Sequence, residues 1–311
     1  MGFVKMKRPI PSWASLDEIT AEVRQCAKER PEFKKVEDLV LRIFTLQEEV
    51  RMKGSLRPED EDLKQSLRQG TALLGDLCPD LEVFARHVEA LVNLLDSTGA
   101  QVVPAPELVL EFFQAHVDQL VDGLAGAPRV WAKRLRESTG LSPDVAQFLL
   151  WAVMHPFFRG AARSMIGDRD THLWSGSTCP VCAAKPHMAQ LRESDGLRVM
   201  ECWLCAAQWE YPRIRCPFCG NEDQETLGFF HLEGDEGCRV QVCDSCKRYL
   251  KVFDARVLDR EVVLSVQHLA TLGHDAVARE EGYLPGSSLV LVPEIGEMEE
   301  AEETTERGEN G

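Results

Sequence analysis

The chain has 311 residues, with 51 acidic against 35 basic side chains and a formal net charge of −16; that length allows a sizeable core and about two domains. The acidic balance argues against a general attraction to nucleic acid or to an anionic membrane surface. No segment is long and apolar enough to span a bilayer, and the start, MGFVKMKRPIPSW, has no apolar run behind its basic residues, so neither a membrane anchor nor a signal peptide is expected and the cytoplasm is the expected location.

Up to about residue 170, apolar residues recur at helical spacing. Leu81, Phe84, Val88, Leu91, Val92 and Leu95 form one stripe, and Val109, Phe112, Phe113, Val117, Leu120, Val121 and Leu124 another. Five to seven helices are predicted. Ser15 with Glu18 makes a capping box, Ser142 before Pro143 suits a helix start, and Gly54, Gly99 and Gly140 suit helix ends. Cys26 and Cys78 stand alone in this region and read as small buried hydrophobes.

Past Trp174 the pattern changes to short apolar pieces between turn residues, as in LRVM at 197–200, RVQV at 239–242 and YLKVF at 249–253. These predict strands. Between Leu264 and Glu281 the spacing of Leu269, Leu272, Ala276 and Val277 predicts one returning helix, packed on the first domain. The last stretch, from Glu294 to Gly311, has eight glutamates and one arginine and is expected to be a disordered acidic tail.

Four cysteine pairs carry the chemistry: Cys179–Cys182, Cys202–Cys205, Cys216–Cys219 and Cys243–Cys246, each with two residues between the thiols. In a reducing compartment such pairs read as metal ligands or redox groups before disulfides. A two-residue gap lets one tight turn present both sulfurs to an ion, and a second turn completes a tetrahedron. An internal repeat assigns the pairs: Gly196-Leu-Arg-Val-Met-Glu-Cys202-Trp-Leu-Cys205 aligns without a gap on Gly237-Cys-Arg-Val-Gln-Val-Cys243-Asp-Ser-Cys246, and each follows a Cys-Pro-x-Cys turn. The expected sites are therefore sequential, Cys179, Cys182, Cys202 and Cys205 on one ion and Cys216, Cys219, Cys243 and Cys246 on the other.

Cys238 falls opposite Leu197 in the repeat and is not expected to be a ligand. His187 and His231 are read as neighbours of complete cysteine sets. Trp203, inside a turn, is read first as a packing residue and second as an exposed anchor. Four thiolates accept zinc or iron alike; zinc would make the sites scaffolds, and iron could carry an electron in each. Repeated thiol–disulfide exchange fits poorly, because that motif opens a helix in a βαβ setting. A zinc-ribbon adaptor binding nucleic acid or transcription machinery is the alternative, although residues 175–255 hold nine Lys or Arg and twelve Asp or Glu, against the basic footprint that phosphate binding asks for. No nucleophile elbow, P-loop or dinucleotide fingerprint is found, so no enzyme is expected.

The order CPVC, GLRVMECWLCAAQWEYPRIRCPFCG, CDSCKRYLKVFD and a helix ending AREEGY resembles the FdhE family of formate dehydrogenase accessory proteins, most specifically between Cys179 and Tyr283. The resemblance implies a cytoplasmic maturation factor that binds the catalytic subunit of formate dehydrogenase and carries two rubredoxin-like iron sites of four cysteines each. Rubredoxin turns commonly place glycine after the second cysteine; here Gly220 does so, while Ala183, Ala206 and Lys247 take the other three places. The expected architecture is α+β: a helical domain over 1–172, two tandem rubredoxin-like or zinc-ribbon-like modules over 173–213 and 214–258, a C-terminal helix with a strand-like tail over 259–293, and the acidic tail over 294–311.

Overall fold

The computed structural model describes residues 13–50, 65, 79–98, 102–166 and 173–287. Helices come first: α1 (Leu16–Glu29), α2 (Pro31–Lys34), α3 (Glu37–Glu49), α4 (Leu81–Asp96), α5 (Pro106–Gly123), α6 (Pro128–Thr139) and α7 (Pro143–Ile166). The capping box at the start of α1 is complete, with Ser15 Oγ accepting from the Glu18 N–H at 3.3 Å and the Glu18 carboxylate accepting from the Ser15 N–H at 2.8 Å. Gly140 ends α6 at φ +73°, and Ser142 Oγ accepts from the Val145 N–H in the first turn of α7. Gly54, Cys78, Gly99 and the acidic tail lie outside the described residues.

Helix α7 is buried along most of its length, including Leu149, Trp151, Phe157 and Phe158, as expected of a helix that is apolar all round. Pro156 sits in its middle. Proline has no N–H, so the carbonyl four residues back, that of Ala152, loses its helical partner. Two neighbouring helices supply replacements: His87 Nε2 from α4 and Gln47 Nε2 from α3 each lie 3.1 Å from that oxygen. Burial pulls the His87 pKa down to about 4, which keeps the ring neutral, with its one proton on the nitrogen that donates. The break in α7 thus becomes a clasp for α3 and α4. Among the described residues no helix is long and apolar enough to cross a membrane.

The strands are β1 (Pro186–Leu191), β2 (Arg198–Cys202), β3 (Gln208–Glu210), β4 (Leu227–Phe230), β5 (Cys238–Cys243), β6 (Arg248–Asp254) and β7 (Leu284–Pro285). Each sequence repeat is a three-stranded antiparallel unit, and the two join into one sheet of order β3-β2-β1-β6-β5-β4 through a parallel pairing of β1 with β6. β7 pairs with β6 off this path. The first repeat shares a single core with the helices: Trp203 and Trp209, 1% and 0% exposed, belong to the same apolar cluster as Phe113 and Trp151. Trp203 is therefore a packing residue and not an exposed anchor.

The helix expected over 264–281 is divided. After α8 (Ala255–Leu258) come α9 (Leu264–Ala270) and α10 (Leu272–Glu280), separated at Thr271 with φ −122° and ψ 32°. A buried cation explains the interruption: Lys251 Nζ, from β6, donates to the carbonyls of His268 at 3.3 Å and Thr271 at 3.2 Å. The first of the two, α9, packs on α1, where Glu22 accepts from Gln267 at 2.5 Å and from Arg260, just before α9, at 2.7 Å.

Candidate metal centres

Each cysteine pair sits on a tight turn of the same build. The residue after the second cysteine is left-handed in all four, with φ of +62° at Ala183, +55° at Ala206, +77° at Gly220 and +51° at Lys247. Glycine takes that conformation freely, whereas a side chain strains it, so the missing glycines do not change the turn. Strained backbone persists where its surroundings over-determine it. Here the Cys179 N–H donates to Ala184 O and the Ala183 N–H to Cys179 O; the same two bonds link Cys202 with Ala207 and Ala206, and Cys216 with Asn221 and Gly220. Inside three of the turns an N–H points at the first sulfur, from Val181 to Cys179 at 3.3 Å, from Leu204 to Cys202 at 3.4 Å and from Phe218 to Cys216 at 3.4 Å. Such donors favour a thiolate over a thiol.

The strands then bring the turns together as the repeat predicts. Cys179, Cys182, Cys202 and Cys205 form one group and Cys216, Cys219, Cys243 and Cys246 a second, with all sulfurs of a group within 4.8 Å of one another. Across the first group Cys179–Cys205 and Cys182–Cys202 are 3.5 Å apart and Cys182–Cys205 3.7 Å; across the second, Cys216–Cys246 and Cys219–Cys243 are 3.7 Å apart. A tetrahedral ion with metal–sulfur bonds of about 2.3 Å has sulfur–sulfur edges of about 3.8 Å. The spacing fits one ion per group, and soft thiolates suit zinc or iron.

The thiols also press on one another. Burial pushes the Cys182 and Cys205 pKa values up, and contact with the other thiols adds to it, while hydrogen bonds from its three neighbours outweigh burial at Cys179 and take it well down. In the second group burial raises Cys246, whereas at Cys243 the Cys246 N–H and the Asn221 amide outweigh burial and bring the value to about 7. Several thiolates in one buried place need a cation among them.

The two groups differ in setting. All four sulfurs of the first belong to buried residues, the most open being Cys182 at 5%. In the second, Cys219 is exposed and Cys246 half-buried. His155 of α7 holds the first group against the helices, its Nδ1 lying 2.9 Å from Leu204 O in the Cys202–Cys205 turn, and burial takes its pKa down to about 3.

Among the described residues, the remaining cysteines and histidines are ligands in neither group. Cys26 and Cys238 are fully buried, and burial pushes each thiol up to about 12, as for inert core residues. His187 Nε2 lies 3.1 Å from Glu201 and its ring packs on His268; His231 is exposed. Two features have no signal in the linear sequence. One is a cleft of about 810 Å³ between α1, α7 and the sheet, lined by Glu22, Arg159, Arg192 and Arg260 among apolar side chains. The other is a set of arginines from distant positions beside the second group.

Fold and site define a helical protein carrying a tandem pair of zinc-ribbon-like four-cysteine modules in one sheet. The family model of the FdhE central domain matches residues 178–213, the segment that holds the first cysteine group. Protein FdhE of Escherichia coli K12 is 28% identical over 253 residues, covering 77% of each chain. The Protein FdhE homolog of Aquifex aeolicus is 23% identical over 234 residues, covering 74% of this chain and 77% of the relative. The crystal structure of the FdhE protein from Pseudomonas aeruginosa has the same fold, with a TM-score of 0.61 over 91% of this chain and 99% of that one at 23% identity. The chain is thus similar to FdhE proteins over about three quarters of its length.

Proposed function

We propose that the protein is a non-enzymatic accessory factor for formate dehydrogenase that binds the catalytic subunit in the cytoplasm and carries one iron in each four-cysteine group. The observation that carries this reading is the closure of both groups in a chain similar to FdhE proteins: four thiolates at tetrahedral spacing leave an ion no open position for a substrate. Cys179, Cys182, Cys202 and Cys205 hold the first ion, and Cys216, Cys219, Cys243 and Cys246 the second. The left-handed turns and the N–H groups aimed at sulfur are what a rubredoxin-type iron needs, since hydrogen bonds to sulfur and solvent exposure set its potential. Iron bound there supplies one-electron chemistry. The working units are those of the sequence: 1–172, 173–213, 214–258, 259–293 and 294–311.

The test is metal content with an absorption spectrum on protein purified without oxygen or added metal, followed by capture of the formate dehydrogenase catalytic subunit on the loaded protein. Two irons per chain with thiolate-to-iron bands that bleach on reduction are expected; two zincs and no visible bands would reject the iron. Deleting the gene should lower formate dehydrogenase activity and leave its transcript unchanged, and unchanged activity would reject the accessory role. Replacing Cys216 and Cys219 together should empty the second group alone; loss of both metals from a folded variant would reject independent sites.

A further inference from the structure

A pocket of about 260 Å³ opens beside Cys216 and Cys243. In a chain of net charge −16 its lining holds Arg198, Arg213, Arg215 and Arg248 and no carboxylate. Arg215 is paired with Glu222 at 3.3 Å. The other three guanidiniums have no carboxylate partner among the described residues. Arg198, only 2% exposed, spends its Nη atoms on Gln241 Oε1 and on the carbonyls of Pro212 and Arg215, and its Nε is buried with no partner at all. Arg248 donates to Pro285 O at 3.2 Å, and Arg213 is exposed at the mouth.

A buried guanidinium without a counter-ion is costly. Thiolates around an ion in the second group would offset part of this charge, since four of them on a divalent ion leave about two negative charges at the centre. The arginines still outnumber that, and Arg213 reaches solvent. One carboxylate could balance that excess, but it brings only two acceptor oxygens to three guanidiniums. A phosphate monoester carries about two charges at neutral pH on three acceptor oxygens, which arginine forks match in geometry. Apart from Gln224 and Gln241, the rest of the wall is largely apolar, with Leu227, Val242 and Leu250, and suits an organic group on that phosphate.

We propose that this pocket binds a small organic phosphate, with the phosphate on Arg213 and Arg248 above Arg198 and the organic group against Leu227, Val242 and Leu250. The inference stands on the arginine geometry and is independent of the accessory role. Phenyl phosphate is a suitable probe, because its ring and charge match the pocket and it competes weakly for metal. Calorimetric titration of the full metal-loaded chain should give one saturable site that weakens with salt. Arg213→Ala and Arg248→Ala should each weaken it about tenfold, the share of one charge-assisted hydrogen bond, and Arg213→Glu should abolish it, all with metal content unchanged. Arg86→Ala, on the distant α4, should leave it unaltered. The proposal is overturned if the wild type shows no saturable binding, if the arginine variants bind as well as the wild type, or if phenylacetate binds equally, which would make the site a reader of acidic side chains. Tighter binding of a single-stranded oligonucleotide than of phenyl phosphate would also overturn it, in favour of a nucleic-acid surface.

Discussion

Replacing Lys251 with methionine tests how the C-terminal helices are held to the sheet. Its ammonium is 1% exposed and donates to Asp275 Oδ2 at 2.7 Å and to the carbonyls of His268 and Thr271. Asp275, 4% exposed, also accepts from Tyr249 OH at 2.7 Å. Lys251→Met leaves a buried carboxylate with one neutral donor and two carbonyls bare at the α9–α10 break. Losing one member of a buried pair costs about 3–5 kcal/mol. Hydrogen exchange on metal-loaded protein reads that loss locally, where a whole-chain melting curve would mix several units. Protection of α9, α10 and β6 should fall roughly a hundredfold or more, each factor of ten being about 1.4 kcal/mol. Replacing both partners, Lys251→Met with Asp275→Leu, should return about 2 kcal/mol or more, since an apolar pair leaves no stranded charge. A change under about tenfold in the single variant, or a double variant no better protected than the single, would refute the reasoning.

A thiol-competing chelator should empty the second cysteine group before the first, because Cys219 is exposed while no sulfur-bearing residue of the first group exceeds 5% exposure; simultaneous release, followed by absorbance, would count against that order. Gly286→Ala would place a Cβ 1.8 Å from Phe218 Cζ, in the Cys216–Cys219 turn, and should cost about 1–3 kcal/mol and loosen the second ion; an unaltered melting temperature and metal content would reject the contact. His87 has a folded pKa of about 4 against an ordinary 6.5, so the unfolded chain takes up its proton first and stability falls as pH drops below about 6.5, by about 2 kcal/mol at pH 5. His87→Gln keeps a donor for Ala152 and should flatten that part of the pH dependence in denaturant titrations; the wild-type slope in the variant would contradict it.

The cysteine groups were legible because the information is local twice over. Two-residue spacing defines each turn, and the ungapped repeat from Gly196 and Gly237 says which turns meet. Helix ends at Ser15 and Gly140 are legible for the same reason, a cap being a contact over three or four residues. What the linear chain hides is long-range. The parallel pairing of β1 with β6 joins residues about sixty apart, and nothing in either strand marks the other as its neighbour. Lys251 reads as an ordinary strand lysine until α9 and α10 close over it, and Pro156 reads as a helix break until His87 and Gln47 reach Ala152. Charge counting misleads in a similar way: nine basic against twelve acidic residues over 175–255 look unremarkable, yet Arg198, Arg213, Arg215 and Arg248 converge on one pocket. The left-handed Ala183, Ala206 and Lys247 show that turn hydrogen bonds can outweigh a local preference for glycine.

The difference between the two centres is written in the residues between their last cysteines. The first repeat has Trp203 and Leu204 there, 1% and 0% exposed; the aligned positions of the second are Asp244 and Ser245, both exposed. Burying a large apolar side chain stabilises by about 1.5–3 kcal/mol, so Trp203 and Leu204 draw their turn into the helical core, with His155 closing the contact to Leu204 O. Asp244 instead engages Lys247 and Tyr283 at the surface. One repeated scaffold thereby yields an inner site, whose sulfurs are part of the core and whose loss should unfold it, and an outer site with one sulfur open and an arginine pocket alongside. Any exchange of ions or ligands with a partner falls to the outer site, because access to the inner one requires the core itself to open.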